Sequence, residues 1–393
     1  MVGNHTLDEI CLKITDGTHS TVKDDSDGNC FLLSAKNIKN GHVCYNTDTD
    51  RKISKETLLF LRNRTRTEIG DVLITTVGTI GEISSVDDDN YEFQRSVALL
   101  KPNPSIITSK FLEYSLKTAE SQLMLENFVS GSVQKCIFLD SIKQLKISVP
   151  GLKIQNKIIN ILSSIDSLIT LNSRINDYLL KLGEAIFDYY QEDADVSCTI
   201  NDLAEEIVCG KTPSTSYKEH YGEDIPFITI PDLHNSPVIV RTERYLSNIG
   251  AETQKKKTLP AHSICVSCIA TPGLVSLTSE LSQTNQQINS IICKKSIPPL
   301  YVYYLMRSSS DVIINLGSSG SATLNLNKTQ FSQIKINILA PIEMLNFNNE
   351  TKYILQLIEL NSKTNVILES LRDMLLPLLM SGEIDVSKLD LGS

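Results

Sequence analysis

From Ile158 onward, apolar residues recur at alternating steps of three and four: Ile158, Ile161, Ile165, Leu168, Ile175, Leu179, Leu182, Ile186 and Tyr189, with Asn172 the single polar member. This period predicts a long helix with an a/d seam, about 48 Å from residue 158 to 189 at 1.5 Å per residue. The same frame returns 189 residues later as Phe347, Glu350, Ile354, Leu357, Asn361, Thr364, Leu368, Leu371, Leu375 and Leu378. Asn172 and Asn361 hold equivalent seam positions, where a polar residue fixes register at some cost in stability. In an antiparallel pair they are expected at similar distances from its centre, and if they meet an amide pair satisfies both side chains; otherwise each is capped by water or its own helix.

The offset of 189 extends beyond the helices. SGSVQKCIFLDSIKQLKISVP (130–150) aligns with SGSATLNLNKTQFSQIKINILAP (319–341), and LITLNSRIN (168–176) with LIELNSKTN (357–365). This is an internal duplication. Ahead of each helix the pattern changes to short β-branched runs broken by glycine, as in DVLITTVGTIGEISSV (71–86) and HSICVSCIATPGLVSLTS (262–279). Their beginnings correspond loosely: FLLSAKNIKNG (31–41) lies against FITIPDLHNSP (227–237) at an offset of 196. Residues 110–128 and 298–316 each read as one helix preceding a Ser-Gly-Ser turn. The predicted fold is α+β: mixed α/β domains at 1–150 and 193–341, each followed by a long connecting helix, at 151–192 and at 342–393 with a C-terminal tail.

Composition changes this picture little. The chain has 393 residues, 41% hydrophobic and 21% charged, with no apolar run long enough for a membrane span and no signal-peptide pattern. Nine irregularly spaced cysteines suit reduced thiols in a cytoplasm, and Cys265-x-x-Cys268 reads as buried strand cysteines rather than a zinc site. The net charge of −9 argues at first against a nucleic-acid partner. Seven of those nine excess charges, however, lie in 151–195 and 342–393, and residues 196–341 carry a net +1. Overall charge therefore does not exclude DNA; local patches decide.

Catalytic signatures are missing from the sequence. Gly210-Lys211-Thr212 has Glu205 where a phosphate loop needs glycine, and neither G-x-G-x-x-G nor H-E-x-x-H occurs. The Pro-Pro of SIPPLY (296–301) lacks the flanking Asp/Asn and aromatic residue of an amino-methyltransferase turn. The pattern is that of a binding scaffold.

Three segments then carry a resemblance over essentially the whole chain. GDVLITTVGTIGEISSV (70–86), GKTPSTSYKEHYGEDIPFITIPDLHN (210–235) and VPGLKIQNKIINILSSIDSLITLNSRIN (149–176) resemble motifs of the specificity subunit of type I restriction–modification systems. Gly151 replaces a usual proline, and the second copy of the last motif has lost its Leu-x-x-Gln signature. The resemblance implies two target recognition domains joined by two long antiparallel coiled-coil helices with an internal pseudo-twofold. It implies a bipartite asymmetric site on double-stranded DNA, two modification subunits and restriction subunits as partners, and no membrane. No cofactor is expected on this chain; S-adenosylmethionine, ATP and Mg belong to the partners, which would dock on the acidic outer helix faces and the ends beside them. The alternative reading is a DNA-mimicking or protein-binding scaffold without sequence readout.

For DNA contact, loops are favoured, because base edges are reached by projecting side chains. The first domain offers Thr18, His19, Lys36, Asn37, Lys39, Asn40, Thr75, Thr76, Gly78 and Thr79. The second offers Lys211, Thr212, Ser214, Thr215, His234, Asn235, Ser267, Thr271, Gln283, Asn285, Gln286 and Gln287, with Lys255, Lys256 and Lys257 as a phosphate-facing stretch. Gly131-Ser132 and Gly320-Ser321 are either close-approach turns at the DNA or plain helix-to-strand corners. The helix-pair seam is expected at Ile165, Leu168, Asn172, Ile175, Leu179, Leu182, Leu357, Asn361, Leu368 and Leu371.

Overall fold

The computed structural model describes residues 3–131, 135–234, 236–318 and 325–389. Two compact units result: residues 1–166 with 370–393, and Ser167–Glu369. Both belong to a mixed α/β fold, and both are built to one plan.

In the first unit an antiparallel sheet runs Cys11–Asp16, Val97–Pro102, Val72–Thr75, Ile83–Ser85 in spatial order. In the second the order is Ala204–Cys209, Ile288–Cys293, Ile264–Ser267, Val275–Thr278, with Val238–Ile239 added in parallel. Each unit also carries a smaller sheet with one parallel pairing, Phe31–Tyr91 in the first and Phe227–Gln283 in the second. The strands are short and mostly buried on both faces, which explains their continuous rather than alternating apolar runs.

Each unit is closed by a ribbon of its own ends. Gly3–Thr6 pairs antiparallel with Lys146–Val149, and Val196–Thr199 pairs with Lys335–Ile338. The helices ahead of the Ser-Gly-Ser segments are each divided in two, Ser109–Lys117 and Ala119–Asn127, then Pro299–Ser308 and Ser310–Ser318. In the first case Thr118 ends one helix in extended conformation and caps the next by accepting from the Ser121 amide. Cys265 and Cys268 are buried, Cys265 within the strand Ile264–Ser267 and Cys268 just after it, and burial pushes both thiols up to about 12.

The long helices are Leu152–Gln191 and Pro341–Ser381. Their period is as expected, but half the seam is displaced by one residue. Ile165, Asn172, Leu179, Asn361 and Leu368 lie on the inward face, whereas Leu168 (49% exposed), Ile175, Leu182 (52%), Leu357 and Leu371 are exposed. Leu162, Asn176, Phe187, Thr351, Ile358 and Leu379 are buried instead. The cause is that neighbouring columns are both apolar, as at Leu168-Ile169 and Leu357-Ile358, so the sequence fits either phase.

The asparagines are also corrected. Asn172 does not bond Asn361; it donates to Asn365 Oδ1 at 2.8 Å, while Asn361 donates to Asn176 Oδ1 at 2.9 Å. Asn365 further donates to Ile169 O and Ser173 Oγ, and Asn176 to Ile358 O and Ser362 Oγ. Each bond in the first set maps onto one in the second when partners are exchanged through the 189-residue offset. Asn176→Leu is expected to cost about 1–3 kcal/mol by leaving Asn361 without its acceptor. A double-mutant cycle in thermal melting should show coupling for Asn172 with Asn365 and for Asn176 with Asn361. Strict additivity within either pair would contradict these bonds.

Elsewhere the repeat is broken by matched substitutions. In the first unit Arg372 pairs with Asp166, which accepts the Tyr114 hydroxyl. In the second unit Gly183 and Leu355 stand at the positions of Arg372 and Asp166, and Tyr304, the counterpart of Tyr114 by the helix caps at Thr108 and Pro298, fills the space over Gly183. A Cβ on Gly183 would lie 2.3 Å from the Tyr304 hydroxyl. Gly183→Ala should therefore lower the melting temperature, with partial recovery in the Tyr304→Phe background; an unchanged melting temperature would show that this contact yields freely.

Candidate nucleic-acid interface

In the first unit the loop Ser34–Asp50 carries several candidate contacts and is organised by one carboxylate. Asp50 accepts from Lys36 Nζ at 2.8 Å, Asn37 Nδ2 at 3.1 Å and the Asn46 amide at 2.9 Å. The Lys36 hydrogen bond, then those from Asn46 and Asn37, hold its carboxyl below the usual range. Its stabilising effect is thus present above the unfolded carboxylate pKa and is lost as pH falls through the depressed folded value. Asp50→Ala should cost about 1–3 kcal/mol locally, by exposing unpaired donors, and should speed amide hydrogen exchange across residues 34–50. Unchanged exchange there would refute this anchoring.

Lys36, Lys39 and Asn40 are exposed on this loop, Asn40 with φ of 52°. Asn37 is buried and holds the loop through Cys44 O and Asp50, so its side chain is removed from the contact set. Thr75 and Thr76 are buried too; the Thr75 hydroxyl accepts from the Glu82 amide and shapes the turn that presents exposed Gly78 and Thr79. In the second unit Ser267, Gln283 and Asn285 are buried. Ser267 donates to Thr271 O, Gln283 to Ala251 O and Thr258 Oγ1, and Asn285 to Gln287 Oε1. Polar side chains in these runs satisfy the backbone of tight turns, a role the sequence does not distinguish from projection into solvent.

Lys211, Ser214, Thr215, His234, Thr271 and Gln286 are exposed, and Gln287 is half-buried. Asn235 lies outside the described residues, as do Ser132, Gly320 and Ser321. Lys255 and Lys256 are exposed on a short 3-10 turn with Lys257 partly so, and Lys255 pairs with Glu252 at 3.0 Å.

Thr18 and His19 sit at the end of the edge strand Cys11–Asp16, His19 Nε2 lying 2.5 Å from Asp16 Oδ2. Beside them is a cationic cluster that sequence reasoning missed. Burial, then the charges of Arg66, Arg64 and Lys101, depress the Lys13 ammonium. Arg64 donates to Gly17 O at 2.6 Å and to Asp16, tying this cluster to the Gly17–His19 turn. The alternation Arg62-Asn63-Arg64-Thr65-Arg66 was the available signal. Such a cluster suits a phosphate backbone.

Comparison with known proteins matches this architecture twice. The family model described as "Type I restriction modification DNA specificity domain" matches residues 3–181 and again 195–341. The chain belongs to this DNA specificity family. Among curated relatives it is 34% identical over 399 residues to the type I restriction enzyme HindI specificity subunit of Haemophilus influenzae, covering 80% of this chain and 86% of that one. It is 25% identical over 356 residues to the putative type I restriction enzyme MjaX specificity subunit of Methanocaldococcus jannaschii, covering 81% and 79%. The type I restriction–modification S subunit from M. genitalium shares the fold at a TM-score of 0.56 and 16% identity, over 97% of this chain and 96% of that one. As a specificity subunit the chain is a DNA-recognising, non-catalytic member of its class. Among the described residues no helix is long and apolar enough to cross a membrane.

Proposed function

We propose that this specificity subunit reads a bipartite, asymmetric site on double-stranded DNA, one half per domain, within a cytoplasmic type I restriction–modification complex. The two long helices form an antiparallel coiled-coil pair with pseudo-twofold symmetry and set the spacing of the half-sites. The observation that carries this is the asparagine network, in which the 172–365 and 176–361 bonds exchange under the 189-residue repeat. Inverted placement of unlike readers gives a non-palindromic target. Half-sites read from one side of the duplex lie about 34 Å apart, and a 40-residue helix of about 60 Å is long enough to span that distance.

Two modification subunits supply adenine methylation with S-adenosylmethionine, and restriction subunits supply ATP- and Mg-dependent cleavage. An exposed apolar stripe supports the docking of the modification subunits: Leu168, Leu171, Ile175, Tyr178 and Leu182 on the first long helix, and Tyr353, Leu357, Leu360 and Ile367 on the second. Contiguous apolar exposure of this kind marks an interface, so the stripe replaces the acidic faces as the docking surface. The test is to express the chain with its cognate modification subunit and sequence the methylated adenines. A split motif with an unspecified spacer is expected; a continuous or palindromic motif would overturn the reading.

A further inference from the structure

Four backbone hydrogen bonds build the same loop in both domains. Gly17 N donates to Val97 O at 3.0 Å, as Gly210 N does to Ile288 O at 3.2 Å; Thr18 N donates to Phe93 O at 2.8 Å, as Lys211 N does to Thr284 O at 3.0 Å. Gln94 N bonds Leu33 O and Asn285 N bonds Ile228 O; Thr76 N bonds Ser96 O and Cys268 N bonds Gln287 O. Both crossings require glycine. A Cβ on Gly17 would lie 2.1 Å from Phe93 O, and one on Gly210 the same distance from Asn285 O. The loop Gln94–Ser96 is therefore the counterpart of Asn285–Gln287, at an offset of 191.

At the tip of this matched frame the side chains differ. Arg95 stands in the first domain where Gln286 stands in the second, and both are exposed. No carboxylate pairs with Arg95 among the described residues; it lines a cavity of about 170 Å³ with Thr18, His19 and Gln94. The adjoining Lys13–Arg64–Arg66 cluster meets the Gly17 carbonyl through Arg64. Gln286 is oriented by the Thr212 hydroxyl, which donates to its Oε1 at 2.6 Å and leaves the amide N–H groups and a second lone pair of that oxygen for a ligand.

A rigid backbone frame with a projecting side chain at its tip is what direct readout needs, and in the first domain a cationic cluster suited to phosphate lies beside it. An arginine fork matches guanine O6 and N7, and a glutamine amide matches adenine N6 and N7. Resting on the proposed half-site reading, we infer that this loop is the base-reading element of each domain. Arg95 reads a guanine in the first half-site and Gln286 an adenine in the second.

The experiment is sequencing of methylated DNA from cells carrying the full chain with its modification subunit, in wild-type, Arg95→Ala, Arg95→Lys, Arg95→Gln and Gln286→Arg forms. Arg95→Ala should relax one guanine in one half-site, with discrimination there falling on the order of ten- to a hundredfold. The other half-site should stay intact, which also reports that the variant is folded. Arg95→Gln should shift that position toward adenine, and Gln286→Arg should shift one adenine of the other half-site toward guanine. If Arg95→Ala lowers methylation evenly with the motif unchanged, and Arg95→Lys restores it, Arg95 is a phosphate contact and the assignment is overturned. A wild-type chain yielding no split motif would sink the half-site reading itself, and this inference with it.

Discussion

Exchange of the segment from Thr199 to Lys335 for the matching segment of another family member is expected to rewrite one half of the methylated motif and leave the other half unaltered. The two junctions are suited to this. Thr199 and Lys335 face each other in the ribbon that closes the second domain, so a foreign cassette enters and leaves at adjacent points. Both junctions lie outside the long helices and outside the residues of the asparagine network. Within the cassette lie the Gly210 crossing, the Asn285–Gln287 loop and every second-domain candidate contact, so whatever this domain reads travels with it. The first domain has the same closure, with Thr6 opposite Lys146, and the reciprocal exchange should alter only the other half. The measurement is again the methylated motif. If both halves changed together, the two domains would be reading DNA as one surface and modularity would be wrong.

The extent to which this was legible in the sequence follows from where constraint is local. The long helices and their 189-residue register are visible because helical spacing is set by neighbours three and four apart. Their phase was hidden by side-by-side apolar columns, one facing the domain core and one left exposed. The sheets were legible as strands but not as an order, since Cys11–Asp16 pairs with Val97–Pro102 far along the chain. The opening segments align better at 195 than at 196, because Leu33 and Ile228 occupy the same place. A one-residue slip of that kind moves every side chain to the other face. Among the candidate contacts, the amide-rich SQTNQQIN announced Gln286, whereas Arg95 sits in FQRSV with no compositional cue. Only the repeated hydrogen bonds place it opposite Gln286.

Paired substitution of Leu171 and Tyr178 by glutamate is expected to abolish stable association with the modification subunit, and with it methylation. Both residues are exposed, Leu171 at 53% and Tyr178 at 71%, so the chain alone should keep its melting temperature to within about 1 kcal/mol of stability. They lie on one stripe with Leu168, Ile175 and Leu182, at the steps of three and four that keep side chains on a single helix face. Truncating a central aromatic or aliphatic anchor commonly costs 2 kcal/mol or more of binding, roughly thirtyfold in affinity, and burying a new carboxylate there adds to the loss. The contrasting variant is Leu162→Glu. Leu162 is fully buried against the first domain's core with Ile158 and Leu379, and glutamate there should unfold the unit rather than merely release a partner. Co-purification and sedimentation separate the two cases: the stripe variant should be folded and unaccompanied, the core variant misfolded. Retention of the modification subunit by a folded Leu171→Glu, Tyr178→Glu chain would move the docking surface elsewhere on the molecule.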